Sequence, residues 1–378
     1  MKRRTFLKTV GCGAAAPALP AVGAGLLAAA HNACVFAAPA QPGAVEARHY
    51  VRLDGGGVEC RLCPRACRIT DLERGYCGVR ENRGDTYYTL VHGRACALNI
   101  DPVEKKPLYH FLPGSSAYSF AAAGCNVHCK CCQNWEISQA RPEQVRSFDL
   151  PPAEIVRQCR QRSVPIIAAT YTEPTVYFEY LQDTAILARK AGIRPVMVSG
   201  GYIMPQPLTE LLEHLCAVKI DLKAIRQRYY TDYVDGELKP VLDALVQVKK
   251  SGVWLEIVYL VIPTLNDSDA EFRELARWIK ANLGPDVPVH FSRFQPQYLL
   301  TKLPATPLAA LERAYGIATA EGLRYVYLGN IPGHRAESTF CPKCGSRVVE
   351  RHGYRVGTVA LTRGECIACG TTIPGVWT

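Results

Sequence analysis

Beyond its first forty residues the chain has little surplus charge. Lys and Arg number 44 against 34 Asp and Glu, a formal +10. Lys2, Arg3, Arg4 and Lys8 supply four of those charges, and residues 1–40 hold no Asp or Glu. The remainder sets 40 basic against 34 acidic residues, or +6. That surplus is too thin to mark a nucleic-acid surface. Tyr87-Tyr88 and the charges around Lys343 and Arg347 are too sparse to form a basic aromatic face, so no nucleic-acid partner is expected. The chain is neither apolar-poor nor charge-rich, at 48% hydrophobic and 21% charged. Wholesale disorder and a collagen-like fibre are excluded. An unbroken apolar run is missing from the first segment too. Gly11, Gly13, Pro17, Pro20, Gly23 and Gly25 make it a poor spanning helix. Cysteine, by contrast, is abundant. The seventeen cannot all pair within the chain, and many stand two or three residues apart, a spacing that favours metal ligation over bridging.

Residues 1–40 read as a targeting segment. Arg3-Arg4-Thr5-Phe6-Leu7-Lys8 resembles a twin-arginine export signal, a weakly apolar stretch runs from Val10 to Ala30, and Ala38-Pro39-Ala40 offers a cleavage site. An exported protein, periplasmic or membrane-tethered, is therefore expected; without export it would be cytoplasmic. Cys34 lacks a lipoprotein context.

Three further segments follow: a Cys-rich one over 41–113, an α/β one over 114–332 and a small Cys-paired module over 333–378. Apolar runs at Ala117–Ala123, Pro165–Tyr171, Arg194–Ser199, Ala217–Leu222, Trp254–Ile262, Val287–Phe294 and Tyr325–Leu328 predict strands. Helical periodicity lies between them, near 152–162, 175–190, 206–214, 238–250, 268–282 and 306–321. Such alternation predicts an α/β fold, a parallel sheet with crossover helices forming a partial or near-complete (β/α) barrel of six to seven units. Chemistry is expected at the C-terminal strand ends, at Gly124-Cys125, Thr172-Glu173, Gly200-Gly201, Asp221/Lys223 and His290.

Cys125, Cys129 and Cys132 follow the first predicted strand with the spacing C-x3-C-x2-C. Thiolates hold iron–sulfur clusters, and three on a four-iron cluster leave one iron open to substrate. Cys131 stands between the last two and could compete as a ligand or pack as a small soft group. Glu173 fits either a substrate ammonium or a helix N-terminus. Gly200 fits close ligand approach or a tight turn. Asp221 and Lys223, alternate on one strand, point the same way and could pair with each other. His290 could be a ligand contact or structural, and Glu256 is a weaker candidate. Cys60, Cys63, Cys67 and Cys77 could hold zinc or an auxiliary iron–sulfur cluster, or form two disulfides. Cys341, Cys344, Cys366 and Cys369 form two knuckles, each followed by glycine, and read as a zinc ribbon.

Several stretches narrow the match. They are Cys60–Cys67, Gly75-Tyr76-Cys77-Gly78, Asp101–His110, Cys125–Ser138, Tyr171-Thr172-Glu173-Pro174-Thr175, Gly329-Asn330 and the terminal Cys pairs. Together they resemble the AmmeMemoRadiSam-system radical S-adenosylmethionine (SAM) enzymes, relatives of the pyruvate formate-lyase activating enzymes, over about residues 50–378. The resemblance implies a [4Fe-4S] cluster on Cys125, Cys129 and Cys132 that binds SAM. Reductive cleavage then gives a 5′-deoxyadenosyl radical that abstracts hydrogen from a substrate, an oxidoreductase chemistry. The family has an aromatic residue where Cys131 stands, and two glycines where Tyr171 and Thr172 precede Glu173. By the same resemblance Glu173, Asp221, Lys223 and His290 lie near SAM. The implied partners are a reductant such as flavodoxin or ferredoxin, and Memo-type and Amme-type proteins. A protein or peptide substrate fits the relatives. The rival reading is a non-catalytic electron carrier or metal-binding scaffold, with a fourth ligand closing the central cluster.

Overall fold

The computed structural model describes residues 44–378. The segment expected to be an export signal, the expected cleavage site, Cys12 and Cys34 lie outside the described residues. The described residues belong to one compact unit.

An eight-stranded sheet organises that unit. Its strands are β1 (Ala97–Pro102), β2 (Ser116–Ala121), β3 (Ile166–Ala169), β4 (Arg194–Ser199), β5 (Ala217–Asp221), β6 (Trp254–Val261), β7 (Val289–Arg293) and β8 (Val326–Gly329). They pair in chain order, from β1 at one edge to β8 at the other. β2 to β8 are parallel, as at Ile166↔Ala117 and Ile166↔Arg194. β1 is antiparallel to β2, and no apolar run announced it. Its residues Asn99 and Asp101 alternate with an exposed Ile100, so it reads as polar sequence. The result is a partial, open barrel-like sheet.

Six helices make the crossovers: α1 (Pro152–Gln161), α2 (Phe178–Lys190), α3 (Pro205–Leu212), α4 (Leu238–Ser251), α5 (Asp269–Leu283) and α6 (Leu308–Ala320). α5 shows why the sequence folds this way. Ser268 caps its first turn by accepting the Glu271 N–H. Phe272, Leu275, Ala276, Ile279 and Leu283 then recur at helical spacing and are all buried. Each large one contributes about 1.5–3 kcal/mol relative to exposure. No helix among the described residues is long and apolar enough to cross a membrane.

The inside of the sheet divides in two. Ala117, Ile166, Ala168, Val196 and Ala217 pack against Val103, Leu108 and Phe111, so the 103–111 segment plugs one end. Beyond this apolar layer the inner face turns polar, with Lys219, Glu256 and His290 buried and Asp221 partly so. The Cys-rich segment is not structureless connection. It builds two three-stranded antiparallel sheets, one from Tyr50–Arg52, Val58–Cys60 and Arg68–Ile69, the other from Val45–Glu46, Arg80–Arg83 and Thr86–Thr89. The last residues carry a third, of Thr339–Phe340, Arg347–His352 and Arg355–Val359. Tyr109, Tyr325 and Tyr327 pack with Val348 and Ile373 to fix it to the main sheet.

Candidate active site and metal centres

The triplet loop leaves β2 at Gly124, whose φ is +94°. A Cβ there would meet Val79 Cγ1 at 2.5 Å and the Cys77 carbonyl oxygen at 2.8 Å, so only glycine fits. The loop is then pinned from several later elements. His128 N–H donates to Val234 O (2.8 Å) and Lys130 N–H to Tyr233 O (2.8 Å). Asn126 Nδ2 donates to Tyr202 O (2.7 Å), and Gln297 Nε2 to Cys131 O (3.0 Å). Cys129 and Cys131 are buried, Cys125 and Cys132 partly so. Burial pushes the Cys125, Cys129 and Cys131 thiols up, with Glu173 adding to the effect at Cys125 and Lys223 opposing it at Cys129 and Cys131. Buried sulfurs become thiolates only against a cation or metal. The donor set therefore fits a thiolate-held group.

Glu173 is buried and its carboxylate is already engaged. Oε1 accepts from Thr175 N–H (3.1 Å), Thr175 Oγ1 (2.8 Å) and Ser199 Oγ (2.6 Å). Oε2 accepts from Gly200 N–H (2.8 Å). Gly200 thus serves the carboxylate by its backbone. Glu173 also caps the short helical turn Pro174–Tyr177, so its helix-terminus role and its proximity to Cys125 coexist.

Asp221 sits between two lysines. It pairs with Lys223 Nζ at 3.0 Å and with Lys219 Nζ. Burial alone would raise the carboxyl, but Lys219 and Lys223 outweigh it and hold Asp221 far below the usual range. Burial lowers Lys219 against the pull of Asp221. Lys223 feels the same burial, but Asp221, Cys129 and Cys131 raise it well above the ordinary lysine value. Lys219 escaped sequence reasoning. The alternation 219, 221, 223 at the end of β5 and just past it was the signal, since alternate positions of an extended chain share a face.

His290 pairs with a carboxylate on the neighbouring strand. Its Nε2 meets Glu256 Oε2 at 2.7 Å, and its ring stacks on Tyr327 with centroids 5.0 Å apart. Glu256 also accepts the N–H groups of Tyr109 (3.0 Å) and His110 (2.8 Å) and the Trp254 indole (3.0 Å). His290 and Glu256 therefore clamp the 103–111 plug. Burial lowers the His290 pKa in spite of Glu256.

The flanking cysteines form two further groups. Cys60, Cys63, Cys67 and Cys77 line a small closed cavity of about 20 Å³. Cys341 and Cys369 sulfurs lie 3.6 Å apart, Cys344 and Cys366 sulfurs 3.7 Å, and all four donors fall within 4.8 Å of one another. Tetrahedral zinc with Zn–S of about 2.3 Å has sulfur–sulfur edges of about 3.8 Å. The C-terminal four are already spaced for one such ion. All the described cysteines are unbridged, so the two-disulfide alternative is not realised.

A loop of three cysteines at the C-terminal end of the first parallel strand, backed by Glu173 and Lys223, defines a candidate cluster site. The radical SAM superfamily profile matches residues 121–279. The uncharacterized protein MJ0808 of Methanocaldococcus jannaschii is 42% identical over 330 residues, spanning 87% of this chain and 98% of that protein. The pyruvate formate-lyase-activating enzyme of Clostridium pasteurianum is 25% identical over 166 residues, 42% of this chain and 66% of that enzyme. Among solved structures, a radical SAM methyltransferase from Sphaerobacter thermophilus aligns with a TM-score of 0.48 and 17% identity, covering 76% of this chain and 78% of that one. The chain belongs to the radical SAM superfamily and is related to the pyruvate formate-lyase activating enzymes.

Proposed function

We propose that this protein is the radical SAM enzyme of an AmmeMemoRadiSam system, acting on a protein or peptide. The observation that carries the reading is the Cys125, Cys129 and Cys132 loop after the first parallel strand, with Glu173 acting electrostatically on Cys125 and Lys223 on Cys129. Those three thiolates hold a [4Fe-4S] cluster, which when bound supplies the electron for reductive cleavage of SAM. Glu173 positions the SAM ammonium. Its Oε1 is saturated by Thr175 and Ser199, while Oε2 accepts one N–H, from Gly200, and keeps acceptor capacity towards the Cys125 side. Asp221, charge-balanced by Lys219 and Lys223, fixes Lys223 beside Cys129. The positive charge there favours the anionic cluster and a SAM carboxylate alike. His290 and Glu256 serve as the clamp of the barrel plug.

The C-terminal Cys341, Cys344, Cys366 and Cys369 hold structural zinc in a ribbon-like module, and Cys60, Cys63, Cys67 and Cys77 hold a metal centre. The partial barrel of six to seven units carries the chemistry between these modules. A flavodoxin or ferredoxin serves as reductant, with Memo-type and Amme-type proteins as system partners. The twin-arginine-like segment directs export of the loaded protein. The carrier or scaffold reading is not favoured, because Glu173 and Lys223 are arranged around a three-thiolate set.

The test is formation of 5′-deoxyadenosine from SAM by the anaerobically reconstituted, dithionite-reduced protein. Product is expected from the wild type and not from the Cys125→Ala/Cys129→Ala/Cys132→Ala variant. Equal product from both would sink the proposal.

A further inference from the structure

The N-terminal cysteines stand against the triplet loop. Cys60 and Cys67 face each other across paired strands, Cys60 N–H donating to Cys67 O at 2.9 Å. Their closed cavity is also lined by Asn126 and Thr175. Asn126 follows Cys125, and Thr175 donates to Glu173, so the cavity shares two walls with the candidate active site. A third contact is closer still: the Cys77 carbonyl oxygen fills the space where a side chain on Gly124 would stand. Cys77 and Cys125 meet again as walls of one open cleft of about 740 Å³.

Spacing separates this group from the zinc-like one. Among the described residues, the C-terminal four are the set whose donors all gather within 4.8 Å. Cys60, Cys63, Cys67 and Cys77 surround their cavity more widely. A single zinc draws its thiolates to about 3.8 Å, whereas a cluster interposes its own irons and sulfides between them. The buried guanidinium of Arg80 lines the same cavity and pairs with Glu179 at 3.1 Å. Cys67 is partly exposed, its sulfur accepting the Tyr76 N–H at 3.5 Å.

We propose that Cys60, Cys63, Cys67 and Cys77 bind a second iron–sulfur cluster that relays electrons to the group held by Cys125, Cys129 and Cys132. The relay rests on the reading of the triplet given above. One electron leaves a reduced flavodoxin- or ferredoxin-class donor and enters at the Cys67 side. It passes out at the Cys77 side, past Gly124, and the second cluster returns to its oxidised state. No bond is made or broken and no proton moves.

The test is metal content and electron paramagnetic resonance of the full chain, reconstituted anaerobically with ferrous iron, sulfide and zinc. The wild type is expected to hold about eight irons and one zinc, and the Cys125→Ala/Cys129→Ala/Cys132→Ala variant about four irons. The dithionite-reduced variant should show one sharp spin-half signal, and the wild type a signal broadened by coupling between neighbouring clusters. About four irons and two zincs in the wild type, with an iron-free variant, would overturn the second cluster. A wild-type spectrum that is the plain sum of two separate signals would overturn the relay. Equal iron of about four in wild type and variant would instead remove the triplet reading and leave the second cluster standing. Should the triple variant not fold, Cys63→Ala/Cys67→Ala must lose about half of the iron and gain no zinc deficit; retention of all iron would refute the site.

Discussion

Gly124 and Cys77 are packed backbone to backbone: a Cβ on Gly124 would lie 2.8 Å from the Cys77 carbonyl oxygen. This one contact joins the residue before Cys125 to the last of the four N-terminal cysteines. Gly124→Ala must push back Val79 and Cys77 while holding a φ of +94°. We expect a loss of about 1–3 kcal/mol of stability. Iron content should fall as well. Chemical denaturation alongside iron assay checks both, and an unchanged unfolding midpoint would contradict the packing.

Glu173→Gln keeps the shape but removes the charge. The donors from Ser199, Thr175 and Gly200 then face an amide with one acceptor oxygen. Stability should drop by about 1–3 kcal/mol, and SAM affinity by roughly tenfold or more. Calorimetric titration of the iron-loaded variant reads the second effect. Full SAM affinity would reduce Glu173 to a helix cap.

Asp221→Asn strands two lysines inside the sheet. Removing one partner of a buried ion set costs about 3–5 kcal/mol. The pH dependence has a definite sign. Asp221 has a folded-state pKa below its unfolded value, so its stabilisation is complete above about pH 4. It disappears as pH falls through the depressed folded value. In the variant the penalty should instead ease on the alkaline side, as Lys219, whose pKa burial lowers, gives up its proton. Melting temperatures over a pH series test this, and a variant insensitive to alkaline pH would count against it.

Glu256→Gln separates architecture from chemistry. Four donors converge on this carboxylate, from His290, Tyr109, His110 and Trp254. Stability should fall by about 2–4 kcal/mol. SAM affinity of the folded variant should stay within about twofold, since Glu256 and His290 clamp the plug. A large loss of affinity with little loss of stability would return His290 to the SAM site.

Chelation of the C-terminal ion should loosen the module that it centres. Trp377 reports on this, since its indole donates to Ile373 O at 2.8 Å within that module. A red-shifted tryptophan emission and a lower melting temperature are expected on zinc removal, both reversed by added zinc. Emission that ignores the chelator would contradict a structural ion there.

Much of the scaffold was legible because its signals are local. The seven parallel strands are short apolar runs bounded by turns, and a parallel sheet buried on both faces writes itself that way. β1 was illegible for the same reason: an edge strand with Asn99, Ile100 and Asp101 has no such run. The cysteine groups were legible because metal ligation imposes spacing on the chain itself.

What the sequence alone determined was the grouping of the cysteines: three in one loop, four before the sheet and four after it. Tertiary structure decided what those residues face. It placed Lys219 with Asp221 and Lys223, gave Glu173 four donors from two strand ends, and paired His290 with Glu256. It also set Cys77 against Gly124. Each of these pairings joins separate strands or loops, or depends on which face of a strand is buried. Chain spacing fixes what one loop can gather, and only packing fixes which loops meet.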